Sequence, residues 1–437
     1  LSIIIIMTKN KFYKEKDKNM HLAVIGAGVS GLTIAMHLSK KHKVTLYEAN
    51  NYLGGHALTL NEKILVNNKL TDINFDVGFL VYNNKNYPLF SELLNLLKVK
   101  SIDSSMSFSV ANKVSNFEYG STGVLSLTNN LKNVVKIRFW ILLKEISRFY
   151  KITNNILSSK NIDFDKTVNI FLQEYKFKDV FIIEHFLPMC GAIWSVPFKK
   201  VLKMPIKTIL MFFKNHGLLS FFGKPQWKTI LNGSKNYVNA IKKTINGNIY
   251  LNEKVVKVVR KKNNIIIKSQ NMTKEFDKVI FATHADDTMK LIESPSGLEK
   301  AILTKCKYET NQIIVHQDYK LMPTNKKVWS SWNVLNHKQN NNNNICVTYW
   351  INKLQRIKSD KPILVTLNPQ LNRLPSKQEI IKKLSFRHPV LDKNYLKAQN
   401  EINSIQGKNN TYFTGAWLGY GFHEDGVKSS AIIAKKL

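Results

Sequence analysis

The sequence predicts an α/β fold, a doubly wound parallel sheet with an interleaved α+β domain. Three observations indicate it. An apolar, β-branched run at 21–25 is followed by three closely spaced glycines, an apolar helical segment and a second β-rich run at 43–48. Short β-rich runs return between residues 249 and 283, and another lies at 410–414. Strands of one sheet are therefore expected from distant parts of the chain.

The first strand leads into a glycine-rich turn at 26–31 with the sequence GAGVSG. Gly26 permits a tight reversal from strand to helix, Gly28 lets the backbone approach a pyrophosphate, and Gly31 lets the helix pack closely against the strand. Free N–H groups at the start of that helix favour an anion. The pattern predicts a Rossmann-like dinucleotide site in which Ala27 and Ser30 join the three glycines.

An acidic residue and a second glycine pair follow the turn. Glu48 ends the second strand about 20 residues after the central glycine, where a carboxylate accepts hydrogen bonds from adenosine ribose hydroxyls. Gly54 and Gly55 let a second backbone segment approach the phosphates, and His56 comes next. This continuation resembles the extended FAD motif of the flavin amine oxidase, protoporphyrinogen oxidase and phytoene desaturase superfamily. The resemblance implies FAD rather than NAD, although relatives usually carry Arg where this chain has His56.

A second glycine-rich turn lies near the C-terminus. The run at 410–414 leads into residues 415–426, and a helix is predicted to begin near Val427. Because a helix N-terminus favours negative charge, we expect the flavin ring beside this turn. Many relatives have an acid after the first glycine, which holds the ribityl chain, but here Ala416 follows Gly415. The predicted cofactor contacts of this region are Gly415, Ala416, Asp425 and Gly426. Glu424 is an alternative to Asp425 for the ribityl chain. Val255, in the middle of the chain, is a further predicted cofactor contact.

The composition limits the class of protein. A hydrophobic fraction of 44% over 437 residues predicts a globular protein with about two domains. The net charge of +35 reflects 65 Lys and Arg against 30 Asp and Glu, and either a biased composition or a functional basic surface explains it. No nucleic-acid-binding module is recognisable, so no nucleic-acid partner is expected. Cys190, Cys306 and Cys346 are far apart, which predicts neither a metal site nor disulfides and fits a reducing cytoplasm.

Membrane spanning is not expected, because no uninterrupted apolar run reaches the roughly 18–20 residues required. Residues 1–19 are predicted to be an N-terminal extension that is disordered or not translated. Two segments, 131–157 and 201–222, are both apolar and basic. They are expected either to pack in the core or to lie at the inner face of an anionic membrane.

The domains are predicted to be discontinuous. β-rich runs at 312–316, 328–334 and 345–351 indicate a second sheet, so the chain is expected to cross between domains. The cofactor-binding domain is assigned to 20–90, 226–300 and 370–437, and the substrate domain to 91–225 and 301–369.

Six further stretches carry a more specific resemblance, at 211–219, 224–229, 233–238, 347–352, 365–369 and 415–426. Together they resemble bacterial amine-oxidase-like flavoproteins described as predicted NAD/FAD-binding proteins, over nearly everything from Met20 onward. The resemblance implies a doubly wound FAD domain with an interleaved substrate domain. Members are often encoded beside cyclopropane fatty acid synthase-like enzymes, which implies a lipid-related substrate by association.

These observations predict an FAD-dependent oxidoreductase acting on an apolar, fatty acyl substrate. The alternatives are an amine oxidase that uses oxygen, and a peripheral membrane-binding protein with a structural nucleotide. His216 and His423 are the candidate acid–base residues, because histidine titrates near neutrality. The candidate substrate contacts are the aromatic residues Trp194, Trp332, Tyr349, Trp417 and Tyr420. The sequence does not predict the oligomeric state.

Overall fold

A computed structural model describes residues 19–112, 115–120, 131–159, 166–220, 223, 225–336, 346–370 and 373–437. The predicted extension at 1–19 lies outside these residues, apart from Asn19. The strands in chain order are β1 (His21–Ile25), β2 (Lys43–Tyr47), β3 (Thr59–Val66), β4 (Lys69–Asp76), β5 (Ser101–Ser104), β6 (Phe108–Asn112), β7 (Phe117–Gly120), β8 (Trp227–Ile230), β9 (Gly247–Tyr250), β10 (Val255–Arg260), β11 (Ile265–Ser269), β12 (Thr273–Phe276), β13 (Lys278–Phe281), β14 (Tyr308–His316), β15 (Trp332–Asn336), β16 (Cys346–Trp350), β17 (Leu364–Leu367), β18 (Ile380–Pro389) and β19 (Thr411–Phe413).

The α-helices of the same residues are α1 (Val29–Leu38), α2 (Pro88–Leu96), α3 (Leu131–Val134), α4 (Ile137–Ser159), α5 (Val168–Glu174), α6 (Asp179–Phe181), α7 (Leu187–Trp194), α8 (Phe198–Val201), α9 (Ile206–Asn215), α10 (Lys235–Thr244), α11 (Ala285–Leu291), α12 (Gly297–Leu303), α13 (Ile351–Gln355), α14 (Lys393–Glu401) and α15 (His423–Ala434). A π-helical turn, Ile182–Phe186, joins α6 to α7. Short 3₁₀ turns are Tyr319–Leu321, Lys326–Val328, Lys377–Glu379, Ile402–Ser404, Lys408–Asn410 and Ala416–Leu418.

A five-stranded parallel sheet has the order β19-β13-β1-β2-β9. The central strand β1 is almost wholly buried, as expected of a strand covered on both faces. Its neighbours come from both ends of the sequence, because β13 pairs with β1 on one side and with β19 on the other. The predicted α/β fold with a doubly wound sheet is thereby confirmed.

A seven-stranded mixed sheet has the order β18-β14-β17-β16-β15-β6-β7. It contains the strands predicted around 312–316 and 345–351. The predicted run at 249–258 divides, because β9 joins the parallel sheet while β10 pairs with β11 in a separate three-stranded sheet. The domain boundaries stay a prediction, and β18 lies in the seven-stranded sheet although it falls within 370–437.

Helix α4 shows how the apolar and basic segments pack. Its residues Phe139, Leu142, Ile146 and Phe149 follow a helical spacing and are all buried in the largest core cluster. Around the start of α4, by contrast, large apolar side chains face solvent. Among the described residues, no helix is both long and apolar enough to cross a bilayer.

The predicted start of the C-terminal helix near Val427 is wrong. Helix α15 begins at His423, four residues earlier. The carboxylate of Asp425 accepts hydrogen bonds from the backbone N–H groups of Tyr420 and Phe422, both at 3.0 Å. An acid in the first turn of a helix also interacts favourably with the helix dipole. Asp425 therefore belongs to the first turn of α15, although the prediction placed it before the helix.

Candidate functional site

The glycine turn after β1 is tight on one side and open on the other. Gly26 has a φ of +97°, and a Cβ added there would lie 3.0 Å from the Ala282 carbonyl oxygen of the neighbouring strand segment. A Cβ at Gly31 would lie 1.8 Å from the Gly26 oxygen. At Gly28, by contrast, a Cβ would have no such neighbour within 4 Å among the residues that the structure describes. The turn therefore packs against the sheet while Gly28, at the N-terminus of α1, borders free space.

The second glycine pair lies against this turn. The N–H of Gly54 donates to the Ala27 carbonyl at 2.8 Å, and Gly54 forms a parallel bridge with Gly28. Gly55 has a φ of +58°, and a Cβ there would lie 3.2 Å from the Gly28 Cα. Two backbone segments thus meet at the carboxyl end of β1, which is where open α/β sheets bind ligands.

Glu48 links the two strands to the turn. It is 7% exposed, and its Oε2 accepts a hydrogen bond from the Ala27 N–H at 2.9 Å. Its Oε1 accepts from the backbone N–H and the side-chain Nδ2 of Asn50, at 2.9 and 2.8 Å. A carboxylate oxygen accepts more than one hydrogen bond, so Glu48 retains acceptor capacity for ribose hydroxyls at the end of β2.

The C-terminal turn rests directly on the N-terminus of α1. A Cβ added at Gly426 would lie 2.7 Å from the Ser30 Oγ. The Ser430 hydroxyl donates to the Ser30 carbonyl at 2.8 Å, and the Gly415 N–H donates to the Ser429 Oγ at 3.1 Å. Glycine-rich segments from opposite ends of the chain therefore form one surface. Ala416 opens the short 3₁₀ turn beside it.

The acids of this turn hold backbone. Asp425 accepts from its own loop, and burial raises its pKa to about 6. The two carboxylate oxygens of Glu424 accept from the N–H groups of Leu89 and Phe90, so Glu424 caps α2. A ribityl-binding role for either acid stays a prediction. Val255 is buried in the small β10 sheet, and its predicted cofactor contact is likewise untested.

The residues present fit a dinucleotide. The open backbone at Gly28, the N-terminus of α1 and the anchored carboxylate of Glu48 provide a phosphate cradle and a ribose acceptor at the expected spacing.

Both candidate acid–base histidines are buried. The ring of His216 stacks on Phe212 at 3.7 Å, and its Nδ1 bonds the Phe212 carbonyl at 2.9 Å. The ring of His423 stacks on Phe79 at 3.6 Å, and its Nε2 lies 3.0 Å from the Tyr237 hydroxyl. Burial lowers the pKa of His216 to about 4 and that of His423 to about 3, so both rings are neutral at neutral pH.

Four of the candidate substrate aromatics are linked through contacts, and Trp417 is buried separately at the C-terminal turn. Trp194 and Tyr420 both contact Phe212, at ring distances of 4.9 and 6.1 Å. Trp332 and Tyr349 are paired across β15 and β16, 5.1 Å apart, and Tyr349 hydrogen-bonds to Ser195, which follows Trp194 in the chain. Within the described residues, the buried indole N–H groups of Trp194 and Trp332 have no hydrogen-bond partner.

Two further histidines lie beside the glycine turns. The ring of His56 lies 6.2 Å from that of His284 and 5.3 Å from that of His388. His284 follows β13 at the carboxyl edge of the parallel sheet. The position of a residue just after a predicted strand of this sheet is a signal that the sequence contains. His388 comes from β18, and no local pattern indicated it.

Beside these histidines lies an ion-paired group. Ligand atoms of His284, Asp286 and Asp287 fall within 4.8 Å of one another, but both carboxylates pair with the Arg387 guanidinium. Because Arg387 already engages both carboxylates, the group carries no metal assignment, and the prediction of no metal stays a prediction.

Residues 29–302 match the family described as flavin containing amine oxidoreductase. None of the curated protein sequences matches the chain. Solved structures with the same fold include a CLA-producing fatty acid isomerase from P. acnes, with a TM-score of 0.68 and 13% identity over 97% of this chain and 100% of that one. Cyclohexylamine oxidase from Brevibacterium oxydans has a TM-score of 0.64 at 13% identity over 96% and 99%. Putrescine oxidase has 0.65 at 12% over 96% and 99%.

Proposed function

The chain belongs to the family of flavin-containing amine oxidoreductases, with FAD as the cofactor, and we propose that it oxidises an apolar, fatty acyl substrate. Bound FAD supplies a hydride acceptor, while the protein binds, orients and shields the substrate. Gly28, Gly55 and the N-terminus of α1 would hold the pyrophosphate, and Glu48 the adenosine ribose.

The observation that carries the proposal is the buried aromatic group of Trp194, Trp332 and Tyr349. It contains two indole N–H groups that have no hydrogen-bond partner among the described residues. An apolar site with a few polar groups suits a long acyl chain, and a buried donor without a partner is costly until an acceptor arrives. A carboxylate or ester carbonyl at one end of the acyl chain would supply that acceptor.

His216 and His423 are the candidates for proton handling. The Nδ1 of His216 donates to the Phe212 carbonyl, which fixes the tautomer and leaves Nε2 as the acceptor. Burial keeps the ring neutral but also lowers its pKa to about 4, so His216 becomes an effective base only when bound substrate raises that pKa. His423 is held against the Tyr237 hydroxyl and is the second candidate.

Anaerobic mixing of the protein with fatty acids tests the proposal. Reduction of the flavin is followed as the loss of its oxidised absorbance near 450 nm, on the order of seconds to minutes. We expect unsaturated or saturated long-chain fatty acids to bleach the flavin, and Trp194→Phe, which removes one indole N–H, to raise KM more than it lowers kcat. Bleaching by amines alone, with peroxide release in air, would favour oxygen-dependent amine oxidation instead. The likeness to cyclohexylamine and putrescine oxidases supports that second candidate.

A third candidate role is peripheral membrane contact, and we infer its site from exposure. Val135, Ile137 and Trp140 are 86%, 79% and 56% exposed around the start of α4. The indole of Trp140 donates to the Val134 carbonyl, which folds the ring over the preceding turn. Exposed apolar side chains beside Lys136 suit an anionic interface.

We place the protein in the cytoplasm, in contact with the inner face of the membrane. Vesicle sedimentation tests this contact. Binding to vesicles rich in phosphatidylglycerol should exceed binding to phosphatidylcholine, and Trp140→Ala should reduce it. Leu298→Ser is the matched control, because Leu298 is 52% exposed elsewhere on the surface. Equal binding by wild type and Trp140→Ala would remove this surface from consideration.

A further inference from the structure

Three histidines from three separate segments converge beside the phosphate cradle. His56 follows Gly55, whose backbone lies against Gly28. His284 follows Ala282 by two residues, and the Ala282 carbonyl lies against Gly26. His388 approaches from the seven-stranded sheet, with its ring 5.3 Å from that of His56.

The neighbouring groups leave this cluster without a free positive charge. The guanidinium of Arg387 is paired with the carboxylates of Asp286 and Asp287. Tyr308 stacks on the ring of His284 at 4.3 Å, and Asn311 hydrogen-bonds the Nδ1 of His388 at 2.8 Å. His423 also interacts electrostatically with His56, which lowers the pKa of His423 further.

One imidazole nitrogen is available for a ligand. The Nε2 of His56 is buried and has no hydrogen-bond partner in the part of the chain that the structure describes, while the ring also bonds the Arg387 backbone. A buried polar atom without a partner indicates a missing ligand, water or ion. Because His56 follows the glycine pair directly, the anion that approaches Gly28 is the ligand within reach.

We propose that His56, His284 and His388 form a proton-linked binding site for the pyrophosphate of FAD. The two negative charges of the pyrophosphate bind together with at least one proton, which the imidazole cluster takes up from solvent. No bond is made or broken other than the N–H bond formed on the imidazole. The cofactor therefore binds to this chain more tightly as the pH falls towards 6.

The protonation states are consistent with that linkage. Burial lowers the pKa of His56 to about 4 and the pKa values of His284 and His388 to about 3. Without an anion the cluster is neutral at pH 7. A pyrophosphate within about 4–6 Å raises the pKa of an imidazole, because it favours the charged form, and protons then bind over the interval between the two pKa values.

Titration of the deflavinated full chain tests the proposal with two probes, FAD and ADP-ribose. ADP-ribose carries the same pyrophosphate diester, which does not ionise near neutrality, and lacks the flavin. Because a nearby opposite charge raises such a pKa by about 1–3 units from its free value of about 4, we expect the Kd of both probes to fall between about pH 7 and 5, by up to tenfold per pH unit for each proton taken up. Calorimetry in buffers of different ionisation enthalpy should register about one proton bound per ligand.

Three variants localise the effect. His56→Arg supplies a permanent cation and should bind both probes with little pH dependence, whereas His56→Gln should bind weakly at every pH. His37→Gln is the matched control, because burial also lowers the pKa of His37 to about 4 at a site outside the cluster. That variant should retain the wild-type pH dependence.

A constant Kd for both probes with no proton uptake overturns the proposal and leaves the FAD assignment intact. Absence of binding at every pH would instead overturn the FAD assignment. A pH dependence confined to FAD would place the proton at the flavin and overturn the pyrophosphate site. Thermal unfolding of each variant separates loss of binding from loss of the fold.

Discussion

Gly28→Ala should separate cofactor binding from folding. Gly28 has φ −69° and ψ −176°, which alanine adopts without strain, and a Cβ there would meet no heavy atom within 4 Å from the described residues other than its chain neighbours. The unliganded fold should therefore keep its stability or gain about 0.4–1 kcal/mol, because alanine restricts the unfolded chain.

The same methyl group would enter the path of the pyrophosphate. Losing one or more hydrogen bonds between backbone N–H groups and a charged phosphate costs about 1.5–3 kcal/mol, which raises the Kd for FAD by roughly 10- to 150-fold. Gly31→Ala is the contrasting variant. Its Cβ would lie 1.8 Å from the Gly26 oxygen, so that variant should lose stability even without cofactor.

Thermal unfolding of the deflavinated proteins and quenching of FAD fluorescence measure the two effects. The expected pattern is an unchanged or slightly raised Tm with weak FAD binding for Gly28→Ala, and a lowered Tm for Gly31→Ala. Wild-type FAD affinity in Gly28→Ala would refute the assignment of the turn as the pyrophosphate cradle.

Three further variants probe other contacts. Glu48→Ala removes the acceptor that holds the Ala27 N–H and should lower the flavin content of the purified protein, measured by absorbance after denaturation; full occupancy would argue against the ribose contact. Arg260→Leu leaves the carboxylate of Glu299, which is 1% exposed, buried without its cationic partner, and urea unfolding should show a loss of about 3–5 kcal/mol. Burial raises the pKa of Asp425 to about 6 from an ordinary 3.8, so the wild type should lose stability relative to Asp425→Asn as the pH rises from about 4 to 6; parallel stability curves would contradict this.

The cofactor turn was predictable because its constraints are local. Gly26 and Gly31 contact each other within one turn of chain, and the Glu48 carboxylate reaches back to Ala27 across adjacent parallel strands. The alternation of strand and helix determines these contacts, and a single sequence displays that alternation.

Other parts of the site depend on tertiary contacts that have no local pattern. His388 reaches His56 only because β18 joins a different sheet, and nothing around His388 in the sequence indicates that pairing. The start of α15 was misplaced because Gly426 resembles a turn residue, whereas the structure uses its missing side chain for close approach to Ser30. The predicted contacts of Val255 and Ala416 stay predictions.

The order of the parallel sheet has a consequence for biosynthesis. Strand β13 needs β19 as its outer neighbour, yet β19 begins at Thr411 while β1 begins at His21. At about 5–20 residues per second, a ribosome reaches Thr411 roughly 20–80 s after His21. Throughout that interval the turn at Gly26 lacks its C-terminal support, and the edge of β13 is unpaired for its last part, roughly 7–26 s from Phe281 to Thr411. A nascent chain should therefore become able to retain FAD late in synthesis, and it would depend on chaperones to protect that apolar edge until then.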